Sequence, residues 1–303
     1  MKVIILDAYS INPGDLDWEP VEKLCDFTSY DRTEDNQVIE RLQGCDGFFV
    51  SKVSITREIM EACPQLKFIG ITATGYDNVD LEAAKDLGIA VCNVPAYSTE
   101  AVAQHAFALI LELTNYVGSY NAAVQAGEWY KSVDFTFINE SLTLLDGKSL
   151  GIIGYGNIGR RVARIGEAFG MKINVYSQDP EAAQKSDYVT LHCPATAENK
   201  GFINKEFISG MKDGAVLINT ARGALINEED LAEALKSGKL AAAGVDVLSC
   251  EPPADPHPLI GLPNCILTPH NAWMPRETRK KVVDICADNL QGFLDGTAVN
   301  RLV

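Results

Sequence analysis

Short apolar runs recur along the chain, each followed by a polar or glycine-bearing turn and then by a stretch with helical spacing. Val3–Leu6, Phe27–Tyr30, Phe48–Val50, Phe68–Thr72 and Ala90–Val94 are too short for helices and predict strands, the more apolar ones buried on both faces. Val21–Cys25, Val38–Leu42, Arg57–Cys63 and Leu81–Leu87 predict the intervening helices. Regular alternation of this kind implies an open parallel sheet with helices on both faces.

The pattern restarts further on. Leu150–Ile153, Ile173–Tyr176, Tyr188–His192, Ala215–Asn219, Ala241–Val247 and Cys265–Thr268 predict a second set of strands, with helices at Lys205–Ser209 and Glu228–Lys236. Pro95 closes the first set, and Ser98 or Thr99 followed by Glu100 suits the N-cap of a long helix from Ala101 to Leu113. Two domains of an α/β class are therefore expected, each a doubly wound parallel sheet. The first lacks a closing element of its own, so the last helix, Arg276–Leu294, is expected to cross back to it. The expected division is residues 1–98 plus 276–303, against 99–275. Between Val117 and Leu145 the periodicity is weak, yet Trp129, Phe135 and Phe137 occur there; core packing and a subunit interface both account for them.

Where the second set begins, the chain reads S-L-G-I-I-G-Y-G-N-I-G-R, with Ile158, Val162, Ile165 and Phe169 continuing at helical spacing. That is strand, glycine turn and helix. Gly154 allows a tight turn, Gly156 a close approach of backbone to a pyrophosphate, and Gly159 close packing of helix on strand. The amides of the helix N-terminus face the phosphates. The context predicts a dinucleotide-binding (Rossmann) domain. A faint echo links I-T-A-T-G at Ile71–Gly75 with N-T-A-R-G at Asn219–Gly223. Both loops follow predicted strands at their carboxyl ends, where open α/β sheets bind ligands, and both are expected to line one cleft between the domains.

Composition narrows the classes. The 303 residues carry 41 acidic against 26 basic side chains, a net charge of −15, which opposes association with polyanions and argues against nucleic acid as a partner. The eight cysteines sit among apolar neighbours without a C-x-x-C pair and read as reduced thiols of a cytoplasmic protein. His105, His192, His257 and His270 show no metal-binding spacing, so no metal is expected. The most apolar later stretch, Ala101–Leu113, is interrupted by Gln104, His105 and Glu112, and no membrane association is expected.

Three polar residues stand where a core has no use for them: Arg222 in N-T-A-R-G, Glu251 in C-E-P-P and His270 in T-P-H-N. Taken singly they fit a surface ion pair, loop polarity and a satisfied core histidine. Together, downstream of a dinucleotide fold, they make an acid/base apparatus for redox chemistry at a carbonyl. Hydride addition to a keto group leaves an alkoxide, which needs a proton donor, and histidine titrates nearest neutrality. A neighbouring carboxylate favours the imidazolium, and a guanidinium fork suits an α-carboxylate. Pro252 and Pro269 are expected to present Glu251 and His270 from stiff, extended backbone.

With G-Y-G-N-I-G, L-H-C-P at Leu191–Pro194, N-T-A-R-G, G-V-D-V at Gly244–Val247, C-E-P and T-P-H in order, the chain resembles the D-isomer-specific 2-hydroxyacid dehydrogenases over nearly its whole length, most of all the glycerate dehydrogenase (hydroxypyruvate reductase) branch. The resemblance implies a flavodoxin-like substrate domain beside the Rossmann domain, a small 2-keto/2-hydroxy acid substrate, and a homodimer formed through the long helix after Thr99 and the segment beyond it. It implies that Arg222 binds substrate, that His270 is the acid/base and that Glu251 is its partner. Ala73, Thr74 and Gly75 would meet the substrate carboxylate, with Trp273 near the substrate. Gly154, Gly156, Asn157, Ile158, Gly159, Ser177, His192, Pro194, Thr220, Ala221 and Asp246 would bind the cofactor, Asp246 holding the nicotinamide carboxamide. Many NAD-using relatives carry aspartate where this chain has Ser177, followed by Gln178 and Asp179. With no arginine there to take a 2′-phosphate, NAD is expected, with NADP the alternative. Only Ser177–Ser186 separates that strand from Asp187, so the adenosine side is expected to be abbreviated. A D-lactate or broad 2-ketoacid reductase remains an alternative. So does a dinucleotide-sensing interaction protein like the related transcriptional corepressors, although the chain has none of the basic or low-complexity tails that such a role would suggest.

Overall fold

The computed structural model describes residues 1–303. In chain order the elements begin with β1 (Lys2–Ile5), α1 (Glu19–Glu22), β2 (Asp26–Ser29), α2 (Val38–Leu42), β3 (Gly47–Val50), α3 (Arg57–Glu61), β4 (Phe68–Ile71), α4 (Leu81–Asp86) and β5 (Ala90–Cys92). There follow α5 (Thr99–Asn115), α6 (Val117–Gln125), β6 (Ser149–Ile153), α7 (Asn157–Ala168), β7 (Lys172–Val175), α8 (Pro180–Gln184) and β8 (Tyr188–Leu191). The last are α9 (Lys205–Gly210), β9 (Ala215–Asn219), α10 (Glu228–Ser237), β10 (Leu240–Val245), β11 (Cys265–Leu267) and α11 (Arg276–Leu294). The chain divides into two compact units, residues 1–98 with 274–303, and residues 99–273.

In the first unit the strands run parallel in the order β2-β1-β3-β4-β5, the flavodoxin-like arrangement. Alternate residues serve opposite faces. Ile4, Phe48, Ile69 and Val91 enter the core under α2, α3 and α4, whereas Phe49 and Phe68 turn the other way, Phe49 packing edge-on against Phe68 and Phe68 against Phe293 of α11, with 5.2 Å between the Phe68 and Phe293 ring centroids. Arg279 pins α11: its guanidinium, largely buried, donates to both carboxylate oxygens of Asp15 at 2.7 and 2.6 Å and to the Ile11 carbonyl. The final residues add an antiparallel edge to β5, Leu302 N–H donating to the Val91 carbonyl at 2.7 Å.

The second unit is a six-stranded parallel sheet, β7-β6-β8-β9-β10-β11. Helices α5 and α7 cover one face through Phe107, Ile110 and Val162; α9 and α10 cover the other through Phe207, Leu231 and Leu235. Compared with the common six-stranded Rossmann order, no strand lies beyond β7. A parallel crossover needs a dozen or more residues, and the stretch from Tyr176 to Asp187 holds only a turn and the five-residue α8. The abbreviation expected from the sequence is therefore a missing strand, and β7 is the sheet edge.

Helix α6 has no counterpart in the sequence pattern because none of its residues is buried, so it carries no apolar stripe to betray its period. Beyond it, Trp129, Tyr130, Phe135, Ile138 and Leu144 are all more than half exposed, and Tyr130 and Phe135 are 96% and 91% exposed. Core packing does not explain them. Tyr120, Trp129, Phe137, Ile138 and Leu142 line an apolar hollow of about 660 Å³. No helix is long and apolar enough to cross a membrane.

Candidate active site

Strand register assembles the site. Ile153, Leu191, Asn219, Val245 and Leu267 pair across the five adjacent strands of the second sheet. The next residue on each strand, Gly154, His192, Thr220, Asp246 and Thr268, therefore falls in one row along the carboxyl edge, with neighbours about 4.8 Å apart by sheet geometry. Residues scattered over a hundred positions of sequence become a single shelf.

At one end of the shelf the chain turns at Gly154, whose φ of +100° is closed to ordinary side chains, and whose missing Cβ leaves space for the backbone of His192 and Cys193. A Cβ on Gly159 would collide with the Gly154 carbonyl, so α7 starts hard against the turn. Gly156 is the N-cap of α7 without a side-chain cap, and nothing approaches within 4 Å of where its Cβ would be. The first amides of α7, those of Asn157, Ile158 and Gly159, consequently have no intrahelical acceptor. Arg160 adds a positive charge that the sequence reading missed. Its guanidinium donates to the Tyr155 carbonyl at 3.1 Å and the Asn157 side-chain oxygen at 2.8 Å. A cation this close to a helix N-terminus opposes the helix dipole.

These residues fit a dinucleotide. Two buried polar atoms on the shelf, His192 Nδ1 and Thr220 Oγ1, have no hydrogen-bond partner within the protein, which is the pattern left by groups that answer to a ligand. His192 Nε2 lies 2.9 Å from the Thr190 hydroxyl, and burial lowers its pKa to about 3, so the ring is neutral near pH 7. Pro194 lies just beyond, its carbonyl accepting from Asn199. Ser177 and Gln178 form an exposed turn after β7, and Asp179 caps α8 by accepting from the Ala182 amide at 3.0 Å.

Beyond Thr220, the Asn219 side chain folds the loop, accepting from Ala221 N–H at 3.0 Å and donating to the Arg222 carbonyl at 2.9 Å. Arg222 is partly buried, and its Nη1 donates to the Ala221 carbonyl at 2.8 Å. The following Gly223 lies flush against the backbone of Leu248 and Ser249, which brings the arginine loop to the segment that carries Glu251. One Glu251 oxygen accepts from Leu248 N–H at 3.0 Å; the other lies 2.6 Å from His270 Nδ1. Both side chains of that pair are about a quarter exposed.

His270 is not on extended backbone as expected. Its φ is +52°, in the left-handed region. Proline constrains itself and its predecessor, not its successor, and the conformation of His270 comes instead from Asp246. The Asp246 carbonyl accepts from His270 N–H at 2.7 Å, and its buried carboxylate accepts from the Asn271 and Ala272 amides at 3.0 Å each and from the Thr268 hydroxyl at 2.5 Å. His105, on α5, completes the cluster with Nε2 3.0 Å from the Thr268 hydroxyl. Asp246 thus grips the backbone that aims the histidine. Trp273 follows directly in the same loop.

In the first unit, the loop after β4 is pinned at its own carboxyl edge. Thr74 donates to the Val94 carbonyl at 2.8 Å, Asn93 donates to the Thr74 carbonyl at 2.9 Å, and Val94 N–H donates to the Ala73 carbonyl, leaving Ala73, Thr74 and Gly75 in a fixed turn. Nearby, Asp7 accepts from the amides of Ser51, Lys52 and Val53 at 2.8, 2.6 and 3.2 Å. Burial raises its pKa against the pull of those amides.

Comparison with known proteins agrees with this geometry. The profile of the D-isomer specific 2-hydroxyacid dehydrogenase, NAD binding domain, matches residues 107–272. The hydroxypyruvate reductase of Blautia hydrogenotrophica is 45% identical over 99% of both chains. The glycerate dehydrogenase of Methylorubrum extorquens is 37% identical over 99% of this chain and 98% of its own. Among solved structures, an acyclic imino acid reductase (Bsp5) in complex with NADPH and D-Arg covers 100% of both chains at 31% identity, with a TM-score of 0.86.

Proposed function

Because the chain belongs to the D-isomer-specific 2-hydroxyacid dehydrogenases, oxidoreductases that act on a CH–OH group with a nicotinamide cofactor, we propose that it interconverts hydroxypyruvate and D-glycerate. The observation that carries the proposal is the 2.6 Å contact of His270 with Glu251 on the same unit as an uncapped glycine turn. The names of the two relatives support the choice of substrate.

When bound, the nicotinamide supplies a hydride to the keto carbon. The chain's own residues do the rest. Glu251 holds His270 through Nδ1, which leaves Nε2 to give a proton to the alkoxide oxygen as the C–O double bond becomes a single bond; in the oxidative direction it takes that proton back. The Arg222 donors not committed to Ala221 grip the substrate's carboxylate and keto oxygen. On the family's pattern we assign Ala73, Thr74 and Gly75 to the substrate carboxylate and Trp273 to its carbon chain. Gly154, Gly156, Asn157, Ile158 and Gly159 receive the pyrophosphate, with His192, Pro194, Thr220, Ala221 and Asp246 along the nicotinamide side. NAD is the preferred form, since the turn from Ser177 to Asp179 offers no cation for a 2′-phosphate and presents an exposed carboxylate.

The test is a spectrophotometric assay with NADH and NADPH over hydroxypyruvate, glyoxylate, pyruvate and larger 2-ketoacids. Fastest oxidation of NADH by hydroxypyruvate is the expected result, and inertness toward every one of these acids would overturn the proposal.

We further propose a homodimer built on the exposed aromatics between Trp129 and Leu144, whose exposure leaves an apolar surface that a second copy would cover. Light scattering is expected to give twice the chain mass, falling to the monomer in Tyr130→Glu/Phe135→Glu; a monomeric wild-type chain would refute it. We also propose a cytoplasmic location, a reading that the eight free cysteines support.

A further inference from the structure

We propose that Glu228 and His257, neither of which reaches His270, form a positioning pair that holds Glu251 against it. The inference rests on His270 being the acid/base of the proposed reaction.

Glu228 is the first residue of α10, a place where carboxylates ordinarily stay solvated and serve the helix dipole. This one is turned inward, with 13% of its side chain exposed. Asn227 already caps the helix by accepting from Asp230 N–H, so the carboxylate is free for other work. Its Oε1 accepts from Ser249 N–H at 2.7 Å, its Oε2 from the Ser249 hydroxyl at 2.7 Å, and Oε2 also lies 3.3 Å from His257 Nε2. His257 is 8% exposed, and its Nδ1 accepts from Leu259 N–H at 3.3 Å. With Nδ1 accepting, the ring's proton sits on Nε2, facing Glu228. Both ring nitrogens thus meet polar groups of the fold, Nδ1 the Leu259 amide and Nε2 the Glu228 carboxylate.

Position gives the pair its consequence. Residues 249–256 are exposed and outside regular structure, and a segment of that kind is ordinarily among the first to move. One carboxylate ties both ends of it, Ser249 and His257, to the rigid start of α10. Within the closed loop, Leu248 N–H holds one oxygen of Glu251 and directs the other at His270 Nδ1. The Leu248 amide and the His270 ring are among the groups facing Glu251, and Ser249 and His257 face Glu228. If Glu228 lets go, Ser249 is released two residues from Glu251, and the 2.6 Å contact with His270 is no longer enforced.

The experiment compares Glu228→Gln, Glu251→Gln and the double variant, with Ser249→Ala as a milder, surface-confined release in case Glu228→Gln folds poorly. Glu251→Gln is expected to move the pH profile of reduction toward acid, because the imidazolium loses a neighbouring negative charge. Glu228→Gln is expected to move it the same way by less and to lower kcat on the order of tenfold, since small misplacements of catalytic groups are costly, while KM for NADH stays within about twofold. The double variant is expected to match Glu251→Gln alone, because both act through one contact. A wild-type profile in Glu228→Gln and Ser249→Ala, or additive shifts in the double variant, overturns the proposal. A second readout needs no turnover. Histidine ring NMR in the cofactor-free protein, with His270 assigned by its loss in His270→Asn, should show the same order of displacement in its titration. An inactive wild-type enzyme would sink the proposed function, whereas an unmoved His270 titration in Glu228→Gln would sink the positioning pair.

Discussion

Replacing His270 by alanine is expected to lower the rate of hydroxypyruvate reduction by about 10²- to 10⁴-fold, the usual worth of a positioned acid, while nucleotide binding stays intact. The two effects separate because the imidazole and the glycine turn proposed for the cofactor lie at different places along the shelf, His270 beyond Thr268 and the turn at Gly154. The loop itself should survive the substitution. Its course is dictated by backbone amides donating to Asp246, and those donors remain when the side chain goes. Alanine tolerates φ near +52° at modest cost, whereas a β-branched residue would not. Single-turnover absorbance of NADH together with a fluorescence titration of nucleotide binding makes the check. Turnover at the wild-type rate would remove His270 as the proton donor, and loss of nucleotide affinity would show that the loop had collapsed.

Arg222→Lys is the second large effect, an expected loss of about 10²-fold or more in kcat/KM, equivalent to roughly 3 kcal/mol of transition-state stabilisation. The substitution retains the charge. What it removes is the planar fork, one nitrogen of which is spent on the Ala221 carbonyl to orient the rest. A lysine ammonium has three donors on a flexible stem; if it takes the Ala221 carbonyl, it cannot also make a two-pronged grip on a carboxylate. The fall should be seen with hydroxypyruvate, with KM for NADH nearly unchanged. Near-normal kcat/KM in Arg222→Lys would mean that the guanidinium serves only as a charge.

The alternation of strands and helices was legible because burial on both faces of a parallel sheet leaves continuous apolar runs such as Val3–Leu6 and Ala215–Asn219. The glycine turn was legible for a different reason: positive φ at Gly154 and close approach at Gly159 each demand one residue type. Glu251 and His270 were marked by adjacent prolines, and the structure brings the two together. Other features leave no local trace. Helix α6 has no buried face to impose a period. The left-handed His270 depends on Asp246, 24 positions away in sequence, and the Glu228 hold on Ser249 and His257 spans 21 and 29 positions. Hydrogen bonds of that range are set by which strands neighbour each other, and a single sequence does not display strand order. The absent strand beyond β7 lies between these cases, since the short connection was visible but its consequence needed the topology.

The way the first unit is completed has a consequence for how the chain comes into being. Residues 1–98 leave the ribosome well before residues 274–303, but Phe68 packs against Phe293, and the edge of β5 is paired by Leu302. Everything from Thr99 to Trp273, a unit with its own sheet and both of its cores, is synthesised in between. Residues 99–273 can therefore finish folding while residues 1–98 still wait for residues 274–303. During that interval the nascent first sheet exposes aromatic side chains and an unpaired edge, the surfaces on which newly made chains tend to associate and which chaperones recognise.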